Sequence, residues 1–333
     1  MLTGFSNACW VSLMRVLLSG FLLMASTLLV GSVFAEECYP SDLAAPLCDR
    51  SGDMVADPPT SSRDWRDPRV LVFAYTPVED PAVYAQVWQS FIEHLAEATG
   101  KRVRFFPVQS NAAQLEAMRA GRLHVAGFNT GSTPLAVNCA GFVPFAMMAR
   151  EDDSYGYEME IIVRADSRFE SLDDLRGANL AFTQPTSNSG FKAPSVLLAE
   201  AGLEAERDFQ ARFSGKHDNS ILGVINGDYD AAAVANSVLR RMQARGVVAP
   251  DQLRTLYRSD TFPTTAYGHA HDLKPALAER IREAFLSYPW EGSGLAEEFR
   301  QSGEAQFIPI SYQQHWQLIR EIDAASGTQY SCR

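Results

Sequence analysis

Apolar and polar positions along most of this chain switch between two periods. The short apolar run Val70–Ala74 has the length of a buried parallel strand, and Val103–Val108 and Leu123–Phe128 read as the strands that follow it. Between them Val83, Val87, Phe91 and Leu95 recur at helical spacing until Gly100, and a second helix is predicted from Ala112 to Ala120, before Gly121. A second cycle opens with a strand over Glu158–Arg164 and a short helix at Asp173–Leu175 closed by Gly177. It continues with strands ending at Phe182 and Phe213, a helix over Ile221–Ile225 and a small-residue strand over Ala231–Ala235. From Tyr267 onward the pattern reads as helices, ending in an amphipathic run around Trp316, Leu318, Ile319 and Ile322. Repeated β-α-β units of this size predict an α/β protein with mainly parallel sheets flanked by helices, its ligand groups at the carboxyl ends of the strands.

The length adds a division. About 300 residues beyond the N-terminal apolar stretch exceed a typical single core and imply two lobes. The expected partition is residues 69–158 with 262–333 in one lobe and 159–261 in the other, with the cleft between them. Residues 36–68, which include Asp57-Pro58-Pro59, read as an irregular extension outside the packed lobes. Ahead of it, Val16–Phe34 is apolar after the single charge Arg15 and ends in Val33-Phe34-Ala35. That is the pattern of a secretory signal cut after Ala35, which makes the mature protein periplasmic.

Removing residues 1–35 takes one of the 29 basic residues and none of the 40 acidic ones, so the net charge becomes 28 − 40 = −12. Such a chain, with no basic block, is not built for nucleic acid or anionic lipid. A small anion is still admissible, because local N–H donors can bind one inside a negative protein. Four cysteines remain, Cys38, Cys48, Cys139 and Cys332, and an even count in an oxidising compartment suggests disulfides. Three pairings are open. Cys38 with Cys48 is the local choice, and Cys139 with Cys332 would tie the C-terminal tail to the body. No cofactor or metal is expected. The cysteine spacing is not that of zinc sites, and His269 and His271 lack an evident third ligand. Gly215-Lys216 has neither the earlier glycine nor the following hydroxyl of a phosphate-binding nucleotide loop.

The candidate chemistry centres on Phe182-Thr183-Gln184-Pro185-Thr186-Ser187-Asn188-Ser189-Gly190-Phe191. A strand end runs into hydroxyl and amide side chains and then into a helix. Such a turn aims free backbone N–H groups and a positive helix end at one point, which suits an oxyanion. Tyr75, at the end of the first strand, lies where ligand groups gather in such sheets.

Four segments, in order, resemble the periplasmic phosphonate/phosphite/phosphate-binding proteins of ABC importers. They are Leu123–Phe128, Pro185–Phe191 with Pro194, Phe213–Asp218 and Val224–Val234, and the resemblance spans roughly Val70 to Phe285. It implies a two-lobed type II periplasmic-binding fold that closes on an oxyanion. The family's Ser-Thr-Ser cradle falls on Ser187, Asn188 and Ser189, and its histidine donor on His217. Two tyrosine donors of well-known members fall on Asn111 and Phe128. Phe128 cannot donate, so Asn129, Thr130 and Ser132 are expected to supply the missing bonds. Positions that hold carboxylates around a ligand amine are Ser237 and Thr265 here, which favours a small ligand without an amine. The resemblance implies capture of a small phosphorus oxyanion, without catalysis, for an ABC transporter permease. The alternative is a sensor of arsenic or phosphorus oxyanions that presents its closed form to a histidine kinase. An enzyme on a related fold has against it the export signal and the lack of a nucleophile–base pair.

Overall fold

The structure, a computed structural model, describes residues 38–330 and Cys332. The expected signal peptide and its cleavage site lie outside the described residues. Eleven strands are described: β1 (Val70–Ala74), β2 (Arg102–Phe105), β3 (Val125–Phe128), β4 (Phe142–Ala149), β5 (Tyr157–Arg164), β6 (Asn179–Phe182), β7 (Gln210–Phe213), β8 (Ala231–Ala235), β9 (Leu253–Phe262), β10 (Ala266–Ala270) and β11 (Gln306–Pro309). They form two sheets, ordered β11-β4-β10-β3-β1-β2 and β7-β6-β8-β5-β9. Each sheet is flanked by helices, and each defines a lobe of a two-lobed type II periplasmic-binding fold. The chain passes from the first lobe to the second between β4 and β5 and returns between β9 and β10.

Each sheet is parallel at one end, β2-β1-β3 in one and β7-β6-β8 in the other. The strands next to the crossings run antiparallel: β10 against β3 and β4, β11 against β4, and β5 against β8 and β9. The sheets are therefore mixed rather than mainly parallel. The expectation of helices from Tyr267 is also corrected, since β10 precedes the helices there. Gly268 interrupts its apolar pattern because a side chain would strike the Val143 carbonyl and the Phe142 ring on β4. The long helix expected from Val83 is two helices, Pro81–Val87 and Gln89–Thr99, which meet at the fully buried Trp88. Trp88 and Phe91 pack on Phe73 of β1, with ring centroids 4.8 and 5.7 Å away, and Phe285 lies 4.5 Å from Phe91. This aromatic core fixes the carboxyl end of β1, where Tyr75 follows.

The segment ahead of β1 is irregular, as its composition predicts, but it is packed. Asp49 is buried and accepts from the N–H groups of Gly52 (2.7 Å) and Met54 (2.9 Å), and Val55 and Ala56 are buried beside it. Disulfides join Cys38 to Cys48 and Cys139 to Cys332, with Cα atoms 5.3 and 5.1 Å apart. The second closes a separation of 193 residues in the chain. By chain entropy alone, such a bridge stabilises by up to about 5 kcal/mol.

Candidate functional site

A small cavity lies between the lobes, at the carboxyl ends of β1, β6 and β8. Ser187, Asn188, Ser189, His217, Ser237 and Arg241 form its wall in the second lobe, with Tyr157 from β5. Tyr75, Asn129, Thr130, Thr264, Thr265, Tyr267 and Glu304 form the wall in the first. About 50 Å³ is open to the centres of water-sized groups. One water needs roughly 10–15 Å³ on this measure, so the space suits an anion of a few heavy atoms.

The second-lobe wall is a built set of donors. Ser187 caps the turn Asn188–Lys192, its Oγ accepting from Gly190 N–H at 3.1 Å. The hydroxyl hydrogen of Ser187 is left to donate, and the backbone N–H groups of Asn188 and Ser189 have no acceptor inside the turn. All three residues are buried, and the Asn188 amide reaches Tyr157 Oη at 3.5 Å. Gly131 of the first lobe sits directly on this turn. A methyl group there would lie 2.5 Å from the Thr186 carbonyl oxygen and against the Asn188 nitrogen.

His217 opens the helix His217–Asn226 and is 4% exposed. Its Nδ1 accepts from Ala235 N–H at 3.2 Å, which puts the ring hydrogen on Nε2. Burial lowers the imidazole pKa to about 4, Glu79 pulling it up and Arg241 adding to the fall. The ring is thus neutral at neutral pH and offers Nε2–H as a donor. Burial raises the pKa values of Tyr75 and Tyr267 above the ordinary phenol range, so both keep their hydroxyl hydrogens.

Asn129 and Thr130 line the first-lobe wall, but only Asn129 keeps a hydrogen to offer. Its Oδ1 accepts from Ser132 N–H at 2.9 Å and its Nδ2 donates once, to Asn111 Oδ1 at 3.0 Å. Thr130 Oγ1 spends its hydrogen on the Pro263 carbonyl at 2.8 Å, so the expected hydroxyl donor is absent there. Ser132 Oγ likewise donates to the Asn129 carbonyl at 3.2 Å. Asn111 does not line the cavity. It bridges the lobes, donating from Nδ2 to Thr186 Oγ1 (2.8 Å) and from its backbone to Gln184 Oε1 (3.1 Å). Its role is one step back from the ligand space, because the helix starting at Asn111 faces the loop before the cradle. Phe128 is fully buried against Phe142, at 4.8 Å, away from the site.

Two charged residues escaped sequence reasoning. Arg241 is 3% exposed in the helix Asn236–Ala244, donates to Ser302 Oγ at 3.0 Å and lies 5.2 Å over the Phe299 ring. Glu304, 8% exposed, follows Gly303 in the turn before β11. Arg241 sits next to Arg240 in a run that reads as a solvated helix face, and Glu304 sits among polar residues. Neither carries a local signal. Glu79 is fully buried and pairs across the cleft with Arg241 (3.5 Å) and Arg245, as Tyr84 Oη donates to it. Further cross-cleft bonds run from His217 N–H to the Val78 carbonyl (3.1 Å) and from Asp80 N–H to Asp218 Oδ2 (3.0 Å).

The family model for the periplasmic phosphonate substrate-binding protein of ABC transporters matches residues 73–316. The chain belongs to this family. The phosphate-import protein PhnD of Mycolicibacterium smegmatis is 27% identical over 291 residues, 83% of this chain and 89% of that protein. A crystal structure of the binding-protein component of a phosphonate ABC transporter from Pseudomonas aeruginosa superposes with a TM-score of 0.71 at 20% identity. That match covers 78% of this chain and 87% of the other. PhnD1 of Prochlorococcus marinus, solved with methylphosphonate, superposes with a TM-score of 0.70 at 20% identity, over 79% of this chain and 100% of that one. The chain is thus a phosphonate/phosphate-type periplasmic binding protein for ABC import. The two structures support the fold.

Proposed function

We propose that this protein captures a compact phosphorus oxyanion (phosphate, phosphite or methylphosphonate) in the periplasm and delivers it unchanged to an ABC permease. The observation that carries the reading is the convergence of donors on one small inter-lobe cavity. They are the neutral His217 Nε2–H, the Ser187 and Ser189 hydroxyls, the N–H groups of Asn188 and Ser189, and Arg241. Asn129 and Tyr75 face them from the other lobe. Charge-assisted hydrogen bonds contribute about 1.5–3 kcal/mol each. Four or five supply about 6–15 kcal/mol, against ~8 kcal/mol for a micromolar complex, and any surplus offsets closure and lost freedom. The ligand bridges donors from both lobes, so it favours the closed arrangement by its differential affinity for it. Export by a signal cleaved after Ala35 belongs to the same reading.

Calorimetric titration of the mature protein with the three oxyanions tests it. Ser189→Ala removes one donor and is expected to weaken binding about ten- to a hundredfold, with the thermal transition unchanged. Wild-type protein that binds none of the three refutes the reading.

A further inference from the structure

One set of cross-cleft contacts is complete without a ligand. Arg241, in the helix Asn236–Ala244, and Arg245, which caps its C-terminal end, stand one turn apart in the second lobe. They face two carboxylates of the first lobe, Glu79 on the loop after β1 and Glu298 in the helix Gly294–Phe299. The two arginines divide the task. Arg241 comes no nearer than 3.5 Å to either acid, and its Nε has no hydrogen-bond partner among the described residues. Arg245 instead donates from NH2 to Glu79 Oε1 and from NH1 to Glu298 Oε1. Arg241 lines the ligand cavity, whereas Arg245 is not part of its wall.

Glu79 has one donor within its own lobe, the Tyr84 hydroxyl, although its side chain is fully buried. A carboxylate so placed needs a cation, and among the described residues its cations are Arg241 and Arg245 of the other lobe. The residues on either side of Glu79 also reach across. The Val78 carbonyl accepts from His217 N–H at 3.1 Å, and Asp80 N–H donates to Asp218 Oδ2 at 3.0 Å. Arg245 therefore holds the loop Val78–Asp80 against the first turn of the helix that carries His217. If the lobes part, two positive charges leave with one lobe and two negative charges with the other. Closure restores the pairs whether or not an anion is present.

We propose that Arg245 is a positioning residue for anion capture: its pairing with Glu79 and Glu298 favours closure of the ligand-free protein and so sets how much of it is ready to bind. An anion held by both lobes binds more weakly by the factor in which that ready fraction falls, although Arg245 never touches it. The effect on affinity rests on the reading of the cavity as the oxyanion site. The effect on closure does not.

The test combines small-angle scattering of the ligand-free protein with calorimetric titration by phosphate, phosphite and methylphosphonate. It compares wild type, Arg245→Met, Arg245→Lys, Glu298→Gln and the double variant Arg245→Met/Glu298→Gln. Ligand-free wild type is expected to be more compact than ligand-free Arg245→Met, and that variant to bind the oxyanion about tenfold more weakly. Lysine keeps the charge but not the two-pronged donor, so Arg245→Lys is expected to recover part of both losses. Glu298→Gln is expected to lose less affinity, because Arg245 keeps Glu79, and the double variant to bind no more weakly than Arg245→Met alone. Losses that multiply in the double variant overturn the proposal. So does ligand-free scattering, or oxyanion affinity, that is the same in Arg245→Met as in wild type. If Arg245→Met does not fold, Arg245→Lys and Glu298→Gln carry the comparison, and wild-type compaction and affinity in both overturn it. Wild type that binds none of the three anions removes the oxyanion reading, while the ligand-free scattering still decides the role of Arg245 in closure.

Discussion

His217→Asn separates the two roles of the buried histidine. The folded-state pKa is about 4 against an ordinary value of 6.5, so between these values the unfolded chain binds a proton that the native protein refuses. The sign follows directly. The neutral ring contributes stability that is complete above about pH 6.5 and is lost as the pH falls toward 4. Over the whole window the loss is about 3 kcal/mol, at 1.36 kcal/mol per pKa unit. Between about pH 7 and pH 5 it is about 2 kcal/mol. Asparagine can place its Oδ1 to accept from Ala235 N–H as Nδ1 does, but it does not titrate and falls short of the Nε2 position.

Urea unfolding at the two pH values measures the effect. Wild type should lose about 2 kcal/mol more than the variant on acidification. His124, His269 and His271 also have pKa values lowered, mainly by burial, and they acidify equally in both proteins, so their contribution cancels in the comparison. The same variant should bind phosphate ten- to a hundredfold more weakly at neutral pH for want of the Nε2–H donor. An unchanged acid loss in His217→Asn would refute the argument that burial holds the ring neutral. Unchanged affinity would remove the ring from the ligand.

Two further substitutions probe how the lobes meet. Gly131→Ala adds a methyl group against the Asn188 nitrogen and Thr186 oxygen, backbone atoms that cannot step aside without moving the cradle. Its affinity should fall at least tenfold and small-angle scattering should show less compaction with ligand than in wild type, whereas equal compaction and affinity would mean that the turn gives way. Lys192→Met strands Asp323, which Lys192 pairs with at 2.7 Å while also donating to the Gly131 carbonyl at 2.8 Å, both side chains being buried. A loss of about 3–5 kcal/mol in urea unfolding is expected, largely restored in Lys192→Met/Asp323→Asn, and a double variant no better than the single one would contradict the pairing.

What could be read in the sequence, and what could not, divides along a physical line. The parallel strands that lie inside the sheets were legible because they are short apolar runs next to a helical period, as in Val70–Ala74 and Ala231–Ala235. Strand β10 was not, because Gly268 and His269 break its apolar pattern. Its place is set by contact with β3 and β4, which the local sequence does not express. The cradle showed the same contrast. Ser187, Asn188 and Ser189 announce themselves because one turn supplies the hydroxyls, the free N–H groups and the helix start together. Asn111 lies far away in the chain, and only the packing of its helix on the Gln184–Thr186 loop decides that its amide holds the lobes rather than the ligand. Arg241 and Glu304 are 63 residues apart in sequence. Each looks like an ordinary surface charge until the fold buries both beside Ser302 and one cavity. A charge gains meaning in such a site from the neighbours the fold gives it, and the contacts that join Arg241 and Glu304 through Ser302 are not expressed in the local sequence of either.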